Sequence, residues 1–213
     1  MKPASSDSHL RSVSFRWIEL LVLFVASPCL LVSGAVELSL RWIVFLFTIT
    51  YVALVIGFTR PTRRQMGLAR PPLRIVLTWA TVYLALAAAT WSVWYLGFHP
   101  DQTFALSIAA VTIAYPLVSA PAQELLFRSF YFYRYNGLVG RHSLTVLNIV
   151  LFVLYHAIFG RWVSVGLSAV AGCALTLLYR KTSNFTFVWV LHAFLGILVF
   201  GAGIGDHFTD LFG

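Results

Sequence analysis

Residues 185–204 read FTFVWVLHAFLGILVFGAGI and contain one ionisable side chain, His192. A helix of about 20 apolar residues is long enough to cross the hydrocarbon core of a bilayer. The whole chain has a matching composition, because 60% of its 213 residues are hydrophobic and only 10% are charged. Ordinary soluble domains carry about 25% charged residues. The sequence therefore predicts an all-α membrane helical bundle whose surface mostly faces lipid.

Similar apolar runs recur along the chain and predict a single polytopic membrane domain, residues 1–213, with about seven to eight transmembrane helices. The predicted spans are residues 17–34, 38–58, 73–97, 104–120 with a polar-tipped continuation to about 135, 143–159, 162–179 and 185–204. The fourth span differs from the others, because it meets Pro121 and then carries an amide and two charged side chains. A proline at this point predicts a kink or a break in the helix.

The basic residues predict the orientation of the bundle. Thirteen of the fifteen fall on one side if the N-terminus is cytoplasmic: Lys2, Arg11, Arg16, Arg60, Arg63, Arg64, Arg70, Arg74, Arg128, Arg134, Arg141, Arg180 and Lys181. This bias predicts a cytoplasmic N-terminus and an external C-terminus. The net charge of +8 is spread between apolar stretches, so it indicates anionic lipid head groups as partners and not nucleic acid.

Ionisable side chains within apolar spans are energetically costly, so each is a candidate for function. Glu19 lies near the end of the first span, where it is expected to reach the interface. Glu124 and Arg128 are four residues apart, the spacing of an ion pair along a helix. His156 and His192 lie deep in two further spans.

These membrane residues allow more than one interpretation. Glu124 and Arg128 could form a purely structural ion pair, and a single histidine in a membrane is most often a polar contact between helices. Glu124, His156 and His192 together, on three different helices, could instead orient water or bind a metal such as zinc. The remaining histidines lie in predicted loops or tails and are given no functional role.

At these residues the sequence resembles the CPBP family of CAAX proteases and bacteriocin-processing enzymes. The family pattern is a Glu-Glu-x-x-x-Arg helix, a Phe-x-x-x-His helix and a later His followed four residues on by Asn or a small residue. The corresponding positions are Gln123-Glu124 with Arg128, then Phe152 with His156, then His192 with Gly196. The resemblance covers about residues 104–203, and the first half of the chain consists of additional spans.

The resemblance implies an intramembrane endopeptidase of the CAAX-protease type, in which Glu and His activate water to hydrolyse a peptide bond. The implied catalytic residues are Glu124, His156, His192, Gln123 and Arg128, and the implied substrate is a membrane-anchored or lipid-modified protein. The implied cofactor is unknown: it could be none, or a divalent metal such as zinc.

Two positions depart from the family pattern. Gln123 stands at the first Glu and cannot act as a base. Gly196 stands in place of the Asn, so that either this position is looser in the family or an oxyanion-stabilising donor is missing. The alternatives are a catalytically silent relative that binds membrane proteins and a small transporter with a Glu, His and Arg polar path. The substrate, the cleavage site, the source organism and the oligomeric state cannot be predicted from the sequence.

Overall fold

A computed structural model describes residues 12–33, 41–69 and 110–201, together with positions 73, 74, 77, 78 and 81. Six continuous helices make up most of this part of the chain, and we number them in chain order. They are α1 (Val13–Leu21, π-helical Val22–Ala26, Ser27–Val32), α2 (Arg41–Thr59), α3 (π-helical Ala110–Ser119, Ala120–Glu124, π-helical Leu125–Phe130, Tyr131–Arg134), α4 (Arg141–Ala157), α5 (Trp162–Thr182) and α6 (Phe185–Gly201). The described residues are thus all-helical, as predicted.

Helix α3 forms the centre of the bundle and alternates between α and π geometry. Proline lacks a backbone N–H and its ring crowds the preceding turn, so Pro116 and Pro121 both disturb the regular ladder. The helix nevertheless continues through Pro121, which lies in the first turn of an α-helical segment that follows a π-helical one. Of the two predicted outcomes, a break of the helix is therefore absent. Wider π turns are typical of functional segments.

The bundle has a mainly apolar interior that also holds buried polar and charged side chains, and it exposes many large apolar side chains. Glu124, Arg128, Asn148 and Thr176 have no exposed surface, whereas Val170 is 72% exposed. Trp162, Phe47 and Phe58 are also exposed. So many large apolar side chains on the surface are unusual for a soluble protein, because water solvates contiguous apolar surface poorly. The described residues therefore have the surface expected of a bundle solvated by lipid.

Two of the described helices are long and apolar enough to cross a bilayer, Val13–Leu31 and Trp162–Thr182. Ile43–Thr59 and Phe185–Phe200 are shorter apolar helices. The predicted span at residues 73–97 lies outside the described residues, apart from five helical positions between 73 and 81. The count of seven to eight crossings accordingly stays a prediction.

Glu19 is buried in an ion pair that joins three helices, and its expected position at the membrane interface stays a prediction. Its carboxylate accepts a hydrogen bond from Arg134 Nε at 2.7 Å and another from the Tyr51 hydroxyl at 3.0 Å. The side chains of Glu19 and Arg134 are 1% and 5% exposed. Phe24 adds edge-to-face contacts to Phe127 of α3, with ring centroids 5.2 Å apart. The first two helices are thus attached to the end of α3.

The loop after α2 covers the turn where α6 begins. The Gly67 carbonyl accepts a hydrogen bond from Phe185 N at 2.8 Å, and the buried Asn184 side chain donates to the Ala69 carbonyl at 2.8 Å. Gly67 has a φ of +67°, and a Cβ there would lie 2.7 Å from the Tyr179 hydroxyl, so the contact requires glycine. This part of the arginine-rich loop therefore packs on the bundle, and α6 begins beneath it.

We expect Glu19→Ala to lower the free energy of unfolding by about 3–5 kcal/mol, because Arg134 would remain buried without its counter-charge. Unfolding in detergent micelles, followed by circular dichroism, measures the effect. Val146→Ala, on an exposed apolar position of α4, is the control and should change the free energy little. The double variant Glu19→Leu/Arg134→Leu should recover part of the loss, and equal stability of Glu19→Ala and the original protein would contradict the prediction.

Candidate active site

Glu124 lies at the centre of a buried polar cluster. Its Oε1 is 2.6 Å from His192 Nδ1 on α6, and its Oε2 is 3.2 Å from Arg128 Nε one turn further along α3. The first contact is a hydrogen bond, whereas the second is an ion pair whose angle is not that of a hydrogen bond. The side chains of Glu124 and Arg128 are both completely buried. The structure therefore brings together three of the five predicted site residues.

Phe152 places the fourth predicted residue, His156, next to this cluster. The Arg128 guanidinium lies 4.3 Å from the centroid of the Phe152 ring, a cation–π contact that offsets part of the cost of burying the charge. The same ring is 4.4 Å from the His156 ring and 5.8 Å from the His192 ring, between centroids. His156 Nδ1 donates to the Phe152 carbonyl at 2.8 Å. His156 on α4 and His192 on α6 thus both lie against the ring of Phe152.

A cavity of about 370 Å³ opens beside these groups and is lined mainly by apolar side chains. His156 and His192 both line it, and Gly196 and Tyr115 form part of the same wall. Concave, mostly apolar sites with a few convergent polar groups are the usual form of a ligand site. The arrangement offers two imidazoles to a molecule in the cavity, with the buried Glu124 carboxylate behind His192.

Gln123, the fifth predicted residue, also lines the cavity but lies outside the ion pair. Its Nε2 donates to the Ser119 hydroxyl at 3.0 Å, within α3. An amide at this position cannot accept a proton at neutral pH. In the described residues, Glu124 is thus the acid in contact with a site histidine, and Gln123 contributes a polar wall.

The segment that carries these residues matches a protein-family model. Residues 105–198 match the model described as Rce1-like, a type II CAAX prenyl endopeptidase. This part of the chain is therefore similar to the Rce1-like CAAX prenyl endopeptidases. The predicted resemblance over about residues 104–203 is confirmed, and the family is one of membrane-embedded proteases. Searches of curated proteins and of solved structures found no match.

The matched segment contains a buried amide that the sequence analysis missed. Asn148 Nδ2 donates to the Phe127 carbonyl at 2.6 Å, and Asn148 Oδ1 accepts from the Thr176 hydroxyl at 2.9 Å. Phe127 lies in the π-helical segment between Glu124 and the end of α3, where a wider turn changes the regular pairing of carbonyls. Asn148 thereby fixes α4 and α5 against the segment that carries Arg128. A polar residue in an apolar span was the available signal.

A small residue lets α5 approach the ring that supports the site. A Cβ on Gly172 would lie 2.8 Å from Phe152 Cδ1, so the backbone of α5 packs directly on this side chain. Small residues allow such close helix packing in membrane proteins. The orientation of Phe152, and with it the relation of Arg128 to the two histidines, thus depends on Gly172.

The described residues also bear on the predicted metal site. Among the described residues, no three His, Cys, Asp or Glu side chains are arranged to hold a metal ion. In this part of the chain, Glu124, His156 and His192, the predicted zinc ligands, do not form such a group.

We expect Asn148→Leu to destabilise the protein by about 1–3 kcal/mol, because the Phe127 carbonyl and the Thr176 hydroxyl would stay buried without partners. Thr176→Val should cost less, since it leaves only one of the Asn148 hydrogen bonds unmade. Chemical unfolding in detergent measures both, with Asn136→Leu in the exposed loop as the matched control. A smaller effect of Asn148→Leu than of Thr176→Val would contradict this account of the network.

Proposed function

We propose that this protein is an intramembrane endopeptidase of the CAAX-protease type, which hydrolyses a peptide bond in a membrane-associated protein. The observation that carries the proposal is the 2.6 Å contact between Glu124 and His192, with Arg128 on the other carboxylate oxygen and an apolar cavity in front of the imidazole. A carboxylate that orients a histidine is the usual device for a general base.

The hydrogen bond to Glu124 assigns the proton positions on His192. An ionised carboxylate can only accept, so Nδ1 carries the proton and the Nε2 lone pair is the basic site. In the proposed reaction Nε2 takes a proton from water as the water oxygen attacks the scissile carbonyl carbon. The C–N bond then breaks and the same proton passes to the leaving nitrogen. Glu124 holds the imidazole in place and balances its transient positive charge, and Arg128 holds the Glu124 carboxylate.

His156 is proposed to act on the substrate side of the same cavity. Its Nδ1 donates to the Phe152 carbonyl, which fixes both the ring and the tautomer. The second nitrogen of the neutral ring accepts a hydrogen bond and thus can orient the attacking water. Gln123 is proposed to line the water or substrate path and not to act as the base, because it has no acidic group.

The apolar lining favours a substrate that carries apolar groups close to the scissile bond. Beyond the histidines, polar side chains such as Ser119 and Ser168 are few in the wall. The family's description as a prenyl endopeptidase agrees with this lining. We therefore propose a prenylated or otherwise lipid-modified protein as the substrate class.

We further propose that the bundle crosses the membrane several times, with a cytoplasmic N-terminus and an external C-terminus. Exposed apolar side chains on α1, α2, α4 and α5 support a lipid environment for these helices. Basic residues near the predicted cytoplasmic ends, among them Arg141 and Arg180, support contact with anionic lipid head groups.

The protein reconstituted in liposomes should cleave a farnesylated CAAX peptide that carries a fluorophore and a quencher on opposite sides of the scissile bond. We expect Glu124→Gln and His192→Gln each to lower kcat by about 10²–10⁴-fold, because each removes part of the general-base pair. Fluorescence gives the rate, and mass spectrometry identifies the bond that is cut.

His142→Ala is the matched control, because this exposed histidine lies on the same helix as His156 but outside the cavity. Circular dichroism of every variant separates lost chemistry from lost folding. Cleavage that appears only after Gln123→Glu would instead identify a catalytically silent relative. Full activity of a folded Glu124→Gln variant would refute the proposed role of Glu124.

A further inference from the structure

Tyr115 occupies the space in which a side chain at position 196 would begin. A Cβ built on Gly196 would lie 2.0 Å from Tyr115 Cε1, 2.4 Å from Cζ and 2.6 Å from the hydroxyl oxygen. No side chain can enter at such distances unless the phenol ring moves away. Gly196 is therefore required by the ring, and the hydroxyl lies where the first atoms of a longer residue 196 would be.

The position of Tyr115 is fixed from two sides. Its ring meets the His192 ring edge-to-face with centroids 6.0 Å apart, and the Phe200 ring at 5.4 Å. The next residue, Pro116, accepts a hydrogen bond from Trp189 Nε1 at 2.6 Å, which ties the π-helical part of α3 to α6. The phenol thus stands in the cavity wall next to the proposed base, on the helix that also carries Glu124.

Other hydroxyl groups in this wall are already engaged. Ser168 donates to the Val165 carbonyl at 2.9 Å, and Ser119 accepts a hydrogen bond from Gln123 at 3.0 Å. Within the described part of the chain, the Tyr115 hydroxyl makes no hydrogen bond. A phenol hydroxyl in an apolar wall that has no protein partner can donate a hydrogen bond to a ligand.

We propose that the Tyr115 hydroxyl donates a hydrogen bond to the oxygen of the scissile carbonyl as negative charge develops on it. The inference rests on the proposed function and adds a catalytic residue to it. The sequence shows Gly196 four residues after His192, where an amide donor is absent. Tyr115 supplies a hydrogen-bond donor to the same region from α3. The site therefore has a group that can stabilise an oxyanion although residue 196 is glycine.

Tyr115→Phe tests the hydroxyl, because the ring and its packing remain. We expect kcat for the farnesylated peptide to fall by about 10²-fold with KM unchanged, since such a donor acts on the transition state more than on the bound substrate. Tyr133→Phe, a tyrosine of the same helix outside the cavity, is the matched control. A Tyr115→Phe variant with unchanged kcat would overturn the proposal.

A second measurement does not depend on turnover. The probe is the same farnesylated peptide with a phosphinate in place of the scissile amide, which carries negative oxygens around a tetrahedral centre. The original protein should bind the phosphinate more tightly than the amide peptide, and Tyr115→Phe should remove about 10²-fold of that preference. Absence of the preference in the original protein, or its persistence in Tyr115→Phe, would overturn the proposed donor.

A paired substitution completes the test. Tyr115→Ala should lose the phosphinate preference, and Tyr115→Ala/Gly196→Asn should recover part of it, because removal of the ring makes room for an amide donor. Failure of the double variant to improve on Tyr115→Ala would count against a donor in this region. Tyr115-dependent phosphinate binding without cleavage would refute only the proposed function, whereas cleavage that is insensitive to Tyr115→Phe would refute only this inference.

Discussion

A carboxylate buried without contact to water needs a nearby positive charge, and the arrangement of this bundle follows from that requirement at Glu124. Arg128 lies one turn away and supplies the charge, but its own guanidinium is then also buried. The aromatic face of Phe152 and the imidazole of His192 complete the surroundings. Because these partners come from α4 and α6, the ion pair on α3 determines how three helices meet.

The irregular geometry of α3 is part of the same solution. A continuous α-helix with a proline at residue 116 would leave carbonyls of the preceding turn without partners. In the first π-helical segment the Pro116 carbonyl itself accepts a hydrogen bond from Trp189, and in the second the Phe127 carbonyl accepts one from Asn148. Each irregularity in the backbone is thus paired with a polar side chain from a neighbouring helix.

The sequence predicted the helical class and the residues of the cluster, because apolar length and buried charge are local properties. Glu124, Arg128 and His192 were recognisable as ionisable groups in apolar spans, and the structure places them in contact. Gln123 was recognisable as an amide at an acidic position. Their roles in catalysis stay predictions, as does the number of membrane crossings.

The sequence did not reveal how far the helices are shifted relative to one another along the bundle axis. At the rise of an α-helix, His192 lies about 10 Å from the start of α6 and His156 about 22 Å from the start of α4. These lengths alone place the two histidines at different depths. The loop through Gly67 covers the start of α6, and the eighth residue of this helix, His192, lines the same cavity as His156. The close approach of Tyr115 to Gly196 is equally invisible in a sequence, because it joins residues from two helices that only packing brings together.

The ion pair between Glu19 and Arg134 has a consequence for the order of events during synthesis. The two residues are 115 positions apart, so the ribosome produces the acid long before its basic partner. Tyr51 follows after only 32 residues and already donates to the carboxylate. Before α3 has been made, Glu19 can have Tyr51 as a partner but not Arg134. The ion pair that attaches α1 to α3 can therefore form only after synthesis has passed residue 134.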